Sequence, residues 1–187
     1  MFFGKFTTFV TFQICLVCCQ KGGSPPASIK VVNLNICPAN GKNPIQGDMY
    51  LDTVDGFKVL SARIEATRPL NRDITYTFQT DKYSNSDWET DVYTDEGVLC
   101  DLLKEYAEDA WNSVRDAIEP KLTNFCDSPA GEYTLDKFEI LEKQFKPPPM
   151  FGRLMIHLNL YDGDDEHIFC ADTEVEVTQK MKQPSFG

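Results

Sequence analysis

One stretch of this 187-residue chain repeats its apolar residues at helical spacing, and nearly all the rest alternates. In TDEGVLCDLLKEYAEDAWNSVRDAIEPK (94–121), Leu99, Leu102, Leu103, Tyr106, Ala110, Val114 and Ile118 recur every three or four residues. That spacing gathers them on one helical face. Thr94 or Asp95 can cap the start, and Pro120 ends the run because it lacks an N–H. The expectation is a single amphipathic helix with its Leu-rich stripe packed on the core.

Elsewhere the period is two. Runs 29–37, 48–54, 57–67 and 73–80 place apolar residues on alternate positions, as half-buried strands require. Val32, Leu34 and Ile36 share one face of the first run. Leu60, Ala62, Ile64 and Ala66 share one face of the third, and Ile74, Tyr76 and Phe78 one face of the fourth. Asp55-Gly56 is a hairpin turn signal between the second and third runs. Run 86–93 reads as a further strand. In 131–140 the apolar parity switches from Tyr133 and Leu135 to Phe138 and Ile140, which predicts a bulge near Asp136. Runs 153–161 and 166–177 flank Asp162-Gly163 and read as a hairpin. Strands with one apolar face and one helix to cover them give a mainly β, antiparallel fold.

The first twenty residues read as a secretory signal peptide: Lys5 precedes the apolar run 6–19, which is too short to span a bilayer. A Gly/Ser/Pro-rich leader (21–28) follows, then one domain (29–180) and a short tail (181–187). The expected location is extracellular. The net charge of −11 repels phosphate backbones and argues against nucleic-acid binding. Of seven cysteines, Cys37, Cys100, Cys126 and Cys170 lie beyond the signal segment, an even number that reads as two disulfides. Cys37 and Cys170 fall on the polar parity of the first and last strands. Facing therefore favours Cys37–Cys170, leaving Cys100–Cys126, although three connectivities fit the count.

Catalytic constellations are missing. There is no GxSxG, GxxxxGK[ST] or HExxH, and no metal-ligand spacing around the two histidines, His157 and His167. His157 reads as an ordinary surface histidine, and Asp162-Gly163 as turn chemistry rather than a calcium loop. The reading is of a non-enzymatic chain without cofactor or metal.

NFCDSPAGEYTLDKFEI, with Cys126, Pro129, Gly131 and Tyr133, resembles the ganglioside-activator proteins and their arthropod secreted relatives, within the ML lipid-recognition group. The helix with Cys100 and the last strand with Cys170 extend the resemblance over most of the expected domain. It implies the pairs Cys37–Cys170 and Cys100–Cys126, and a cup of antiparallel strands with an apolar interior for lipid tails. The extra disulfides of the ganglioside activator are not matched here, so the general fold is implied rather than ganglioside presentation. Leu60, Ile64, Tyr76, Phe78, Leu103, Trp111, Tyr133, Leu135, Ile156 and Leu158 are the expected cavity lining. FKPPPMFGRL (145–154) falls where such a cup has a lip, so Phe145, Met150 and Phe151 are the expected rim and membrane contacts. Neighbouring prolines would stiffen their display.

The implied function is secreted binding and transfer of a lipid or other apolar small molecule. Membrane contact would be transient, with a receptor or hydrolase as a further partner. The alternative is a protein-interaction factor, a venom component or an immune or chemosensory co-factor, whose surface rather than cavity is functional.

Overall fold

In a computed structural model of the chain, residues 27–37, 44–141, 144–146 and 150–179 are described. The expected signal peptide, most of the expected leader and the expected tail lie outside them. Eight strands and two helices follow in the order β1 (Ala27–Ile36), β2 (Ile45–Val54), β3 (Phe57–Ala66), β4 (Thr75–Ser84), β5 (Asp87–Val98), α1 (Leu99–Tyr106), α2 (Glu108–Ala117), β6 (Gly131–Glu139), β7 (Gly152–Tyr161) and β8 (His167–Gln179). Ala27 and Ser28, read as leader, open β1 opposite Gln179 and Thr178.

Two antiparallel sheets result, one of five strands in the order β1-β8-β7-β4-β5 and one of three in the order β2-β3-β6. The fold is mainly β, as the alternation predicts. The bulge read near Asp136 is present: Leu60 faces Phe138 and Ala62 faces Leu135, so Asp136 and Lys137 together oppose Ser61. Lys137 takes a positive φ of 46°, and its N–H donates to Ser61 Oγ at 3.1 Å. A second bulge is not legible in the pattern. The β1 register shifts between Val31 and Asn33, leaving Val32 unpaired. Ile29 and Val31 therefore pack inward with Val175 and Val177, and the expected Val32–Leu34–Ile36 face is broken at Val32.

The single expected helix is two. Thr94 and Asp95 do not cap it, because β5 runs on to Val98 and pairs them with Gln79 and Phe78. The ladder satisfies that backbone better than a frayed first turn would. The helical path then breaks at Ala107, whose φ and ψ are −142° and 27°. Hydrogen bonds continue across the break, from Ala107 N–H to Leu103 O and from Trp111 N–H to Ala107 O. The break lets one apolar stripe serve two surfaces. Trp111, Val114 and Ile118 pack on Ala62, Tyr133 and Leu135 of the small sheet, while Leu99 and Leu102 pack toward Tyr76, Phe78 and Leu158 of the large one.

Both disulfides form as expected: Cys37–Cys170 joins the end of β1 to β8, and Cys100–Cys126 ties α1 to the segment before β6. At the far end of the large sheet, Leu154, Val175 and Val177 are almost fully buried.

His157 is on the outer face of the large sheet, partly exposed, and has partners that the sequence does not reveal. It lies between two carboxylates, 2.7 Å from Asp172 Oδ1 on β8 and 3.3 Å from Asp81 Oδ2 on β4. Register explains this: His157 pairs with Asp172 on one side and Gln79 on the other, and Asp81 is two residues along β4. Burial pulls its pKa down, but the hydrogen bonds to Asp172 and Asp81 outweigh burial and hold it above 6.5. Each ring nitrogen faces one carboxylate, so the imidazole bridges β4 and β8 across β7.

Two outcomes follow. Leu154→Ala, which removes a side chain with no exposure, is expected to cost about 3 kcal/mol in urea unfolding. A loss under about 1 kcal/mol would show that this end of the sheet repacks. The His157 contact stabilises fully below pH 6.5 and fades as pH rises through the raised pKa. His157→Gln should therefore lower the urea midpoint at about pH 6 and much less at about pH 9. A difference constant with pH would remove protonation from the explanation.

Candidate functional site

The large sheet presents a wider apolar inner face than the small sheet and two short helices cover. The uncovered part is a cavity of about 290 Å³. Its floor is Phe78, Ile156, Leu158 and Val175, and β1 closes one side with Ile29 and Val31. Over it lies α1, with Leu102, Leu103 and Tyr106, and Phe145 and Lys146 complete the wall. It sits between two packed clusters, one around Ile74, Leu160 and Ile168 and one around Leu154, Val175 and Val177. Those clusters prevent its collapse along the strands.

Four expected lining residues, Phe78, Leu103, Ile156 and Leu158, are on this wall. The others are elsewhere. Leu60, Trp111, Tyr133 and Leu135 pack together under α2, where the indole Nε1–H of Trp111 donates to Phe125 O at 2.7 Å. Ile64 lies between the two core clusters and lines a second recess of about 320 Å³ beside the Cys37–Cys170 bridge. Tyr76 is buried just behind the cavity wall. Face was legible for these residues, but depth was not, because it depends on which stretch α2 covers.

The expected rim divides in the same way. Phe145 lines the cavity, Met150 packs against the Leu154 cluster, and Phe151 is exposed. Pro147, Pro148 and Pro149 lie outside the described residues.

Sequence reasoning missed the polar group in this wall. Asp95, on β5, lines the cavity among apolar side chains. The Tyr76 hydroxyl donates to its Oδ2 at 2.9 Å, and the Glu96 N–H donates to its Oδ1 at 3.0 Å. Gly97 permits the first contact: it pairs with Tyr76 across the ladder, and a Cβ there would meet the tyrosine ring at 3.3 Å. Burial, then the bond to Asp95, push the Tyr76 pKa far up, so its hydroxyl stays a donor. Tyr106, also on the wall, is raised chiefly by burial. The one sequence signal is Asp95 itself, which the helical spacing offers, with Thr94, as a candidate cap.

Among the described residues there is no cluster of side chains suited to a metal ion, and no helix is long and apolar enough to cross a membrane.

No family model matches the chain, and no curated protein matches it. Among solved structures it is similar to chicken MD-1 complexed with lipid IVa, at 18% identity and a TM-score of 0.35. The match covers 81% of this chain and 97% of that one.

Proposed function

We propose that this protein is a secreted, non-enzymatic carrier that holds a lipid or other apolar small molecule in its β-cup. The observation that supports this most is the cavity of about 290 Å³ walled by Phe78, Leu103, Ile156 and Leu158. Native interiors are close-packed and leave few voids larger than a water molecule. A gap of this size, kept open by packed clusters on both sides, suits a ligand that supplies the missing contacts. Binding is hydrophobic, and each methylene withdrawn from water contributes about 0.8 kcal/mol. The ML-type resemblance of the Cys126–Tyr133 stretch and the pair of disulfides point the same way. Phe145 on the wall and exposed Phe151 nearby in sequence suit transient contact with a membrane during uptake, with delivery to a receptor or hydrolase.

One observation favours the alternative, a secreted protein-interaction factor. The β2–β3 hairpin leaves Tyr50, Val54 and Phe57 at 60%, 43% and 58% exposure. Exposed apolar side chains gathered on one hairpin are a common element of protein contacts.

Native mass spectrometry of the disulfide-intact protein, followed by organic extraction, separates these readings. A carrier is expected to retain a discrete apolar molecule or to take one up from a lipid mixture. Leu103→Trp, which adds bulk from the helix side of the cavity, should reduce uptake at least about tenfold while leaving the urea midpoint near wild type. A ligand-free mass unchanged after incubation with lipids would sink the carrier reading and leave the hairpin surface to be tested.

A further inference from the structure

We propose that the carried molecule is a single-chain amphiphile whose head donates hydrogen bonds and carries no negative charge, and that Asp95 recognises that head. The inference rests on the carrier reading and names the ligand class of the same site.

Size sets the number of chains. An apolar cavity of about 150 Å³ holds one benzene, six carbons. By proportion the 290 Å³ here has room for about a dozen carbons. That suits one alkyl chain better than several side by side.

Charge sets the head. Asp95 is half-buried in a wall that is otherwise mostly aliphatic and aromatic. It is fixed there by Tyr76 and by the Glu96 backbone, which use one acceptor site on each oxygen. Each carboxylate oxygen can accept a second bond. The neighbouring wall hydroxyls belong to Tyr93 and Tyr106. A hydroxyl, amide or ammonium head can therefore donate to Asp95 as its tail enters the cavity. A carboxylate head in the same place sets two like charges together in a medium that screens them poorly. Lys146, the one cation among the described residues of the wall, is exposed. Its attraction for an anionic head is screened by water and salt and does not offset that repulsion. Discrimination comes from the penalty against the wrong head as much as from attraction to the right one.

The experiment is displacement of a bound fluorescent naphthylamine dye at about pH 7.5 by four ten-carbon probes: decan-1-ol, decanamide, decylamine and decanoate. The alcohol, amide and amine are expected to bind at least about tenfold more tightly than decanoate. Among the three, a preference for the amine marks a cationic head, and equal binding a neutral one. Lengthening the alcohol should tighten binding about fourfold per methylene and level off near twelve carbons. Asp95→Asn keeps the shape and the acceptor for Tyr76, and should raise decanoate binding until the four probes fall within about threefold. Decanamide against decanoate on the wild-type protein tests the idea even where that variant does not fold. Decanoate binding as tightly as decanamide would overturn the assignment of Asp95 while leaving the carrier intact. Displacement by none of the four would overturn the carrier reading itself.

Discussion

Burial of the inner face of the five-stranded sheet is the constraint on which the rest of this structure depends. Tyr76, Phe78, Leu154, Ile156, Leu158, Leu160, Val175 and Val177 belong to that sheet and pack inward in the two clusters that bracket the cavity. Apolar area of this extent has to leave water for the sheet to be stable. The opposing layer is smaller, three strands and two short helices. The mismatch is resolved by close packing at both ends of the large sheet and an unfilled space between them. The cavity is the part of the inner face that this fold does not cover.

The break at Ala107 follows from the same mismatch. A straight helix from Leu99 to Ile118 would be about 30 Å long and would present one stripe in one direction. Two surfaces at different inclinations need covering, so α2 packs on Tyr133 and Leu135 and α1 packs toward Phe78 and Leu158. The Cys100–Cys126 bridge holds α1 to the segment that leads into β6. That bridge therefore fastens the lid of the cavity to the small sheet.

Polar chemistry is concentrated in two places on the large sheet, on opposite faces. On the outer face, His157 joins β4 and β8 across β7 through Asp81 and Asp172. Arg153 and Glu174 pair on the same face beside the rings of Tyr83 and Trp88. These contacts tie the side chains of neighbouring central strands together across the outer face. On the inner side, Tyr76 and Asp95 place one negative charge in the cavity wall, at a point where the chain passes from β5 toward α1. The first set joins strands across the outer face, and the second sets a carboxylate among the apolar side chains of the cavity wall.

Local pattern carried a good deal of this. Alternation fixed which faces of β3, β4, β7 and β8 turn inward, and the parity switch at Asp136 announced its bulge, because each is set by neighbours within a few residues. The facing of Cys37 and Cys170 favoured their bridge, and Cys100–Cys126 was the pair that remained. Three things were decided by partners far along the chain. Val32 is extruded because of how β1 registers on β8. Thr94 and Asp95 join β5 because β4 offers them a ladder, which outweighs a helix-capping preference of about 1 kcal/mol. Tyr133 and Leu135 are packed core while Ile156 and Leu158 line a cavity, though all four read alike in sequence. Facing is a property of the strand, whereas emptiness is a property of the space between layers, and only the tertiary structure sets that space.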